Sequence, residues 1–498
     1  MRKEDSVVQM EPEEMGQSLE ELTDETSEAS IPISPLPWWL LKASGTYVRS
    51  KFPKLAPAPL HESTNGVDKS DLPTEIGILP FYSDEIRLDI DGRYPQSTVS
   101  GVLRLGFAKC HWIARIRYYG NNVWRGYIWY KRGAVHLLPQ PFVKLVVQKS
   151  FFTFQRHVYL TFYGRGLPSQ TAQYRWKSAY FHKVNFEHDY ATDAALHTSY
   201  NTGTHPNRPP GLPIETLTVK KVYQRAGFDV SESGTSAVPK ALAGANGKWS
   251  DMEMHDAMQT YWSRFTNNAQ WAMWVFFASL HEQGSSLGGV MFDTIGPNER
   301  QGTAVFCDSF INNAPPGDPN PSAWQERMKF WTTVHEMGHA FNLAHSWQKE
   351  LVWNGYGPWI PLQDDPEARS YMNYPFNVQG GQQKFFEDFE FRFIDEEYLF
   401  LRHAPYEFIQ PGNYAFFDHH GFEDSDLDLG VDFQLELRVH RDKNEFQFME
   451  PVRIEAKLKN TSAKPQVIAE HVLDHFDHLT FVIKKRGKTA RRWTPFTR

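Results

Sequence analysis

Two histidines stand four residues apart with a glutamate directly after the first, in the run His335-Glu336-Met337-Gly338-His339. On a helix, side chains at i and i+4 share one face, so both imidazoles point the same way. This is the H-E-x-x-H arrangement, in which two imidazoles bind zinc and the glutamate serves as general base toward a water. A third histidine, His345, lies six residues past His339. Six more helical residues would swing it off the ligand face. The helix must therefore end between them, and the chain must turn back.

With that third histidine the stretch resembles the metzincin metallopeptidases, whose motif H-E-x-x-H-x-x-G-x-x-H is followed downstream by a Met-turn. His335, Glu336, His339 and His345 take the matching positions. Asn342 replaces the motif's glycine, at a point where the chain leaves the helix through a left-handed conformation that asparagine tolerates. Leu343 and Ser346 match what many matrixin-like members carry. Ser370-Tyr371-Met372-Asn373-Tyr374 fits the S-x-M-x-Y Met-turn of astacin-like and serralysin-like members. The resemblance implies one catalytic Zn2+ on His335, His339 and His345, Glu336 as general base, and Met372 as an apolar floor that is not a ligand. Tyr374 is either an oxyanion or zinc neighbour or a ring packed after the turn. Glu350 and Glu367 are candidates for the third ligand of a different, glutamate-completed zinc site, which His345 and Met372 disfavour.

The elements that must position these residues are legible around them. Ser322 and Gln325 read as a capping box for a helix from about 323 to 341. Trp324, Met328, Trp331 and His335 fall at helical spacing along it, with Arg327 and Lys329 facing solvent. Upstream, Thr216 to Tyr223 reads as a strand. Ser250 and Glu253 form a second capping box before Met254, Ala257, Met258, Tyr261, Trp262 and Phe265, the apolar face of an amphipathic helix. Trp271 to Leu280 is a buried strand. Gly289 to Phe292 and Thr303 to Phe306 are shorter strands, the latter expected to pair with an extended peptide substrate. Between His345 and Met372, Trp347, Trp353, Tyr356 and Trp359 either pack a loop or line a substrate pocket. Phe385 to Leu401 reads as a closing helix.

The 498-residue chain has room for about three domains. With 41% apolar and 15% aromatic residues it can bury sizeable cores. Residues 1–75, acidic and then Pro-rich, read as a disordered segment. Residues 76–201 alternate apolar and polar side chains in short runs, as in Ile86-Arg-Leu-Asp-Ile, and read as a β-sandwich-like domain. Residues 214–404 form the metzincin-like catalytic domain, a twisted mixed sheet plus the active-site helix. Residues 405–498, where Leu435, Leu437 and Val439 and then Val452, Ile454, Ala456 and Leu458 alternate, read as an Ig-like β-sandwich that either starts near Tyr414 or is truncated. The expected fold class is thus a multidomain α+β protein with β-sandwiches on both sides of a metzincin-like zinc peptidase domain.

Net charge is −7, so nucleic acid is not an expected partner. Calcium at Asp89 and Asp91, or in the acidic run 423–432, is weaker than a turn or a solvated loop. Cys110 and Cys307 lie far apart and make no disulfide framework, and Cys110 reads as a buried free thiol rather than a zinc-capping cysteine. The first thirty residues hold ten acidic and two basic residues and no apolar run, so no signal peptide is visible. The compartment is left open, cytoplasmic or reached by a non-classical export route, and no transmembrane segment is expected. These observations converge on a zinc metalloendopeptidase with a protein or peptide substrate. Its rivals are an adhesion or assembly protein whose metal domain is a remnant, and a zinc amidase for a non-protein amide.

Overall fold

Alternating runs between residues 85 and 178 build strands with one apolar face, and that face must be covered. In a computed structural model, which describes residues 6–9, 42–49, 85–149, 155–292, 299–349, 359–414, 416, 433–439, 446, 452–462, 465, 481–484 and 490–493, the cover is the sheet itself. A short strand β1 (Ser6–Gln9) is followed by β2 (Gly45–Arg49), β3 (Glu85–Asp89), β4 (Thr98–Leu105), β5 (Ala108–Tyr118), β6 (Val123–Gly133), β7 (Phe142–Lys149), β8 (Arg156–Gly164) and β9 (Leu167–Ser178). From β2 to β9 each strand pairs antiparallel with the next, and β9 returns to β2, closing an eight-stranded barrel. β1 pairs with β6 outside the ring. Eight strands leave an interior just wide enough for side chains. Tyr47, Leu88, Trp112, Leu145, Phe162 and Tyr174 fill it.

A second sheet follows. Its members are β10 (His182–Ala191), the strands β11 (Ser199–Asn201) and β12 (Thr216–Thr218) of a separate small ribbon excepted, then β13 (Phe228–Glu232), β14 (Ala237–Val238), β15 (Ala272–Ala278), β16 (Gly289–Phe292) and β17 (Gly302–Phe306). The order is β13-β10-β15-β17-β16, with β14 also on β10. All pairings are parallel except that of β16, which runs antiparallel at the edge. β15 is buried at every residue, as a central parallel strand requires. The described helices are α1 (Val219–Ala226), α2 (Asp251–Tyr261), α3 (Pro321–Ala340), α4 (Gly381–Asp388), α5 (Asp395–His403) and α6 (Tyr406–Ile409).

Barrel and mixed sheet share a core. Ile113 and Tyr130, on the outer face of the barrel, pack in the same cluster as Phe186, Phe228, Trp331 and Phe400. A buried polar seam runs alongside. Asp89 accepts from Arg402 at 2.8 Å, Arg87 donates to the carbonyls of His403 and Ala404 at 3.0 Å, and the His403 ring meets Ser100 at 2.9 Å.

The expected fold class is overturned. The N-terminal β region is a closed barrel rather than a sandwich, and the chain is not a metzincin-like peptidase domain between two sandwiches. A sandwich and a barrel demand the same alternation, and only the long-range β2–β9 pairing distinguishes them. The last long strand within 76–201, at 182–191, leaves the barrel and joins the mixed sheet as β10. Toward the C-terminus the described residues include two antiparallel strand pairs, β18 (Phe433–Val439) with β19 (Ile454–Asn460) and β20 (Phe481–Lys484) with β21 (Ala490–Trp493), and no sandwich is seen among the described residues. Leu435, Leu437 and Ile454 of the first pair are exposed.

Local readings fared unevenly. The capping box of α2 forms, with Ser250 N donating to Glu253 at 2.9 Å and Glu253 N to Ser250 Oγ at 3.2 Å. Thr216 to Tyr223 is strand only to Thr218. Beyond it Val219, Val222, Tyr223 and Ala226 make the buried face of α1, capped by Thr218 and ended at Gly227 with φ 107°. The expected closing helix is two, α4 and α5, split near Phe391 with φ 54°. Asp89 and Asp91 are committed to protein partners, Arg402 and the amides of Ala43 and Ser44, which answers the calcium suggestion. Segment 1–75 is described only at 6–9 and 42–49, and the acidic run 423–432 lies outside the described residues.

Candidate metal centre

Helix α3 carries the first two histidines. It is not capped by Ser322 and Gln325 as expected. Asn320 accepts from Ala323 N at 3.3 Å, Pro321 takes the first turn, and Gln325 donates instead to Asn312 O at 2.7 Å. Trp324, Met328 and Trp331 anchor the helix in the core. Arg327 is not at the surface either. It lies buried over the Phe386 ring at 3.7 Å, donates to Asn207 O at 2.8 Å, and burial pulls its pKa down to about 10.

The C-terminus of α3 does what the third histidine requires. Asn342 adopts φ 67°, in the left-handed region. Asn342 N donates to His339 O at 2.7 Å and Leu343 N to Gly338 O at 3.0 Å, the paired bonds that close a helix at such a residue. The side chain of Asn342 donates to Phe408 O at 3.0 Å. The reversed chain then delivers His345, and the ligand atoms of His335, His339 and His345 lie within 4.8 Å of one another.

Each imidazole is held in one tautomer. His335 Nδ1 donates to Tyr371 O at 2.6 Å, His339 Nδ1 to Leu343 O at 2.8 Å and His345 Nδ1 to Gln348 Oε1 at 2.7 Å. A carbonyl oxygen only accepts, so every Nδ1 carries hydrogen and Nε2 is the acceptor nitrogen of each ring. His335 Nε2 and His339 Nε2 stand 3.1 Å apart. Two neutral acceptors at that distance repel, whereas two ligands about 2.0–2.1 Å from a shared tetrahedral ion would lie at nearly this spacing. The residues present therefore fit a metal ion bound by three nitrogens.

The surroundings are aromatic and tightly shaped. Trp331 stacks on His335 with centroids at 4.7 Å, and Trp347 on His345 at 4.4 Å. Tyr374 stands 4.7 Å from the His345 ring and Phe416 5.0 Å from that of His339. Met372 lies against α3, and a Cβ on Gly338 would come within 2.3 Å of its sulfur. Glu336 is buried under β16, and a Cβ on Gly289 would stand 2.7 Å from its Cγ. Only glycines allow these two approaches.

A second layer ties the turn to the ligand loop. Ser346 N donates to Met372 O at 3.0 Å. Glu397, from α5, accepts from Ser346 Oγ at 2.9 Å, from Ser370 Oγ and from Ile394 N at 3.0 Å. Lys349 Nζ lies 4.0 Å from it, and both side chains are wholly buried. Burial raises the Glu397 pKa, with Lys349 opposing.

Sequence reasoning missed Glu397, Gln348 and Phe416, whereas Trp331 and Trp347, which it singled out, stack on His335 and His345. Gln348, three residues past His345, is the one with a local signal. Other expectations sort plainly. Trp359 stacks on Phe400 at 3.6 Å within the core, so it lines no pocket, while Trp353 and Tyr356 lie outside the described residues. β17 is flanked by β15 and β16 and cannot pair with a substrate; the edge strand on that side is β16. Glu367 accepts from Gln379 N at 2.9 Å rather than joining the histidines, and Glu350 is outside the described residues. Cys110 and Cys307 are buried free thiols, pushed up by burial to about 11 and about 12. No described helix is long and apolar enough to cross a membrane.

Comparison with protein-family models, with curated proteins and with solved structures finds no match to this chain. The site alone defines the class: a buried cluster of three histidines that could bind a metal ion.

Proposed function

We propose that this chain is a zinc-dependent hydrolase of peptide bonds, with Glu336 as its general base. The observation that carries the reading is the trio of imidazoles with fixed tautomers and converging Nε2 atoms, next to a buried carboxylate on the same helix turn. Zinc suits three neutral nitrogen donors and, when bound, polarises a carbonyl and lowers the pKa of a water to about 7. Glu336 would take the water's proton and return it to the leaving amine. Tyr374, half-buried beside His345, is the candidate donor to the oxyanion. Edge strand β16 runs over Glu336, and an extended chain paired along it would bring a scissile carbonyl toward the histidines. A substrate recognised through its own backbone favours peptides over sugars or lipids.

The test is cleavage of a mixed peptide library by the full chain, with and without a chelator, beside Glu336→Gln. The reading expects chelator-sensitive cleavage that the variant loses while still binding metal. Cleavage that survives both chelator and variant removes it.

A further inference from the structure

A cavity lined by none of the three histidines lies where the barrel meets the mixed sheet. It encloses about 410 Å³, within the range of sites for small organic ligands. Arg87 on β3, Arg104 on β4, Lys177 on β9 and Lys183 on β10 line it, against one carboxylate, Glu85. Glu85 is already held by Lys177 at 2.8 Å. The chain as a whole carries net charge −7, so this concentration of cations runs against the general surface.

Arg87 distinguishes the cleft from a solvated basic patch. It is only 7% exposed and has no ion pair among the described residues. One terminal nitrogen donates to two backbone carbonyls, and the other lies 3.4 Å from the His182 ring. Burial draws its pKa down to about 10, the expected cost of a charged group taken from water without a counter-ion. The nearest other acidic groups are engaged elsewhere. Glu407 pairs with Lys109 at 2.7 Å, Asp89 with Arg402 at 2.8 Å, and Asp229 approaches Lys183 at 3.7 Å from the exposed side. Rings make up much of the remaining lining, beside Thr46, Gly101, Val102 and Ser178. Trp271 stacks on His182 at 4.6 Å, with Tyr180, Phe181 and Tyr406 alongside.

We infer that this cleft binds a small organic anion, a phosphate or carboxylate carried on a flat apolar group. The anionic head meets Arg87 and the rim cations Arg104 and Lys183, in the charge-assisted geometry that guanidinium groups favour. The flat body lies against the rings. The site is independent of the histidine cluster, and binding is read without any turnover.

The experiment is calorimetric titration of the full chain with phenyl phosphate at low salt, with inorganic phosphate and phenol for comparison. Phenyl phosphate is expected to bind once per chain, more tightly than inorganic phosphate, and phenol not at all. Affinity falls as salt is raised. Arg104→Glu and Lys183→Glu, both at exposed positions, each weaken binding about tenfold or more, and Arg104→Glu does so without lowering the unliganded melting temperature. No binding of phenyl phosphate overturns the inference. So does an affinity that neither variant changes. Inorganic phosphate binding as tightly as phenyl phosphate removes the aromatic part of the site.

Discussion

The carboxylate of Glu397 separates two contributions that are usually entangled, because its charge and its hydrogen bonds serve different partners. Its two oxygens accept from Ser346, Ser370 and Ile394 N, while Lys349 faces it across 4.0 Å with no exposure on either side. In Glu397→Gln the amide oxygen still accepts from Ser370 and Ile394, and the amide nitrogen donates to Ser346, whose hydroxyl can turn to accept. Only the charge is lost, which strands Lys349. Breaking a buried pair costs about 3–5 kcal/mol. The long separation puts this one at the low end, about 3 kcal/mol. Adding Lys349→Met removes the stranded charge and should bring stability back to within about 1 kcal/mol of the parent. Glu397→Leu with Lys349→Met also leaves no unpaired charge, but it releases the ligand-loop and turn serines. Its metal affinity should fall about 10–100-fold, as for other groups that orient metal ligands from behind. The assays are urea unfolding for stability and competition with a chromophoric chelator for affinity. If the Leu/Met pair binds zinc as tightly as the parent, Glu397 does not position the site. If Glu397→Gln costs under about 1 kcal/mol, the buried-charge reasoning is wrong.

Other consequences follow from single contacts. Burial lowers His403 from 6.5 to about 4, so the unfolded chain binds a proton that the folded chain refuses. The stability this group contributes is present above about pH 6.5 and is lost as pH falls toward 4. In His403→Gln the stability difference between pH 7.5 and pH 5 should shrink by about 2 kcal/mol in urea titrations. An unchanged difference would contradict the burial argument. Asn342→Ala must hold φ 67° without the bond to Phe408 O, and should lose about 2–3 kcal/mol. Asn342→Gly should lose only about 1 kcal/mol, from the bond alone; calorimetric melting distinguishes the two. Gly338→Ala drives a methyl into Met372 and should cost about 1–3 kcal/mol, with weaker metal binding by the same chelator assay.

What could be read from the sequence was local. The H-E-x-x-H spacing, the break at Asn342 and the return of His345 are all fixed within eleven residues, by helix period and by the short list of residues that accept a left-handed turn. The apolar run of β15 and the capping box of α2 are equally short-range. The barrel was not legible, because its closure depends on β2 meeting β9 across more than a hundred residues, and alternation is identical in an open sandwich. α1 was misread although its i, i+3, i+4 and i+7 apolar spacing was present, because Thr216 and Val219 also suit a strand. Arg327 looked solvent-facing by charge alone, but its carbonyl partner and the ring beneath it come from distant segments. Glu397 left no mark at all. It is one acidic residue among several at the start of α5, and only the fold carries it to Ser346 and Ser370.

The central claim is that three fixed imidazoles hold one ion. Equilibrium dialysis of the purified full chain against zinc, with bound metal counted per chain, tests it most directly. The account predicts one tightly bound zinc in the parent and in Glu336→Gln, and none in His339→Ala. A folded parent chain that retains no metal at stoichiometric zinc, or a His339→Ala variant that retains it undiminished, would contradict it.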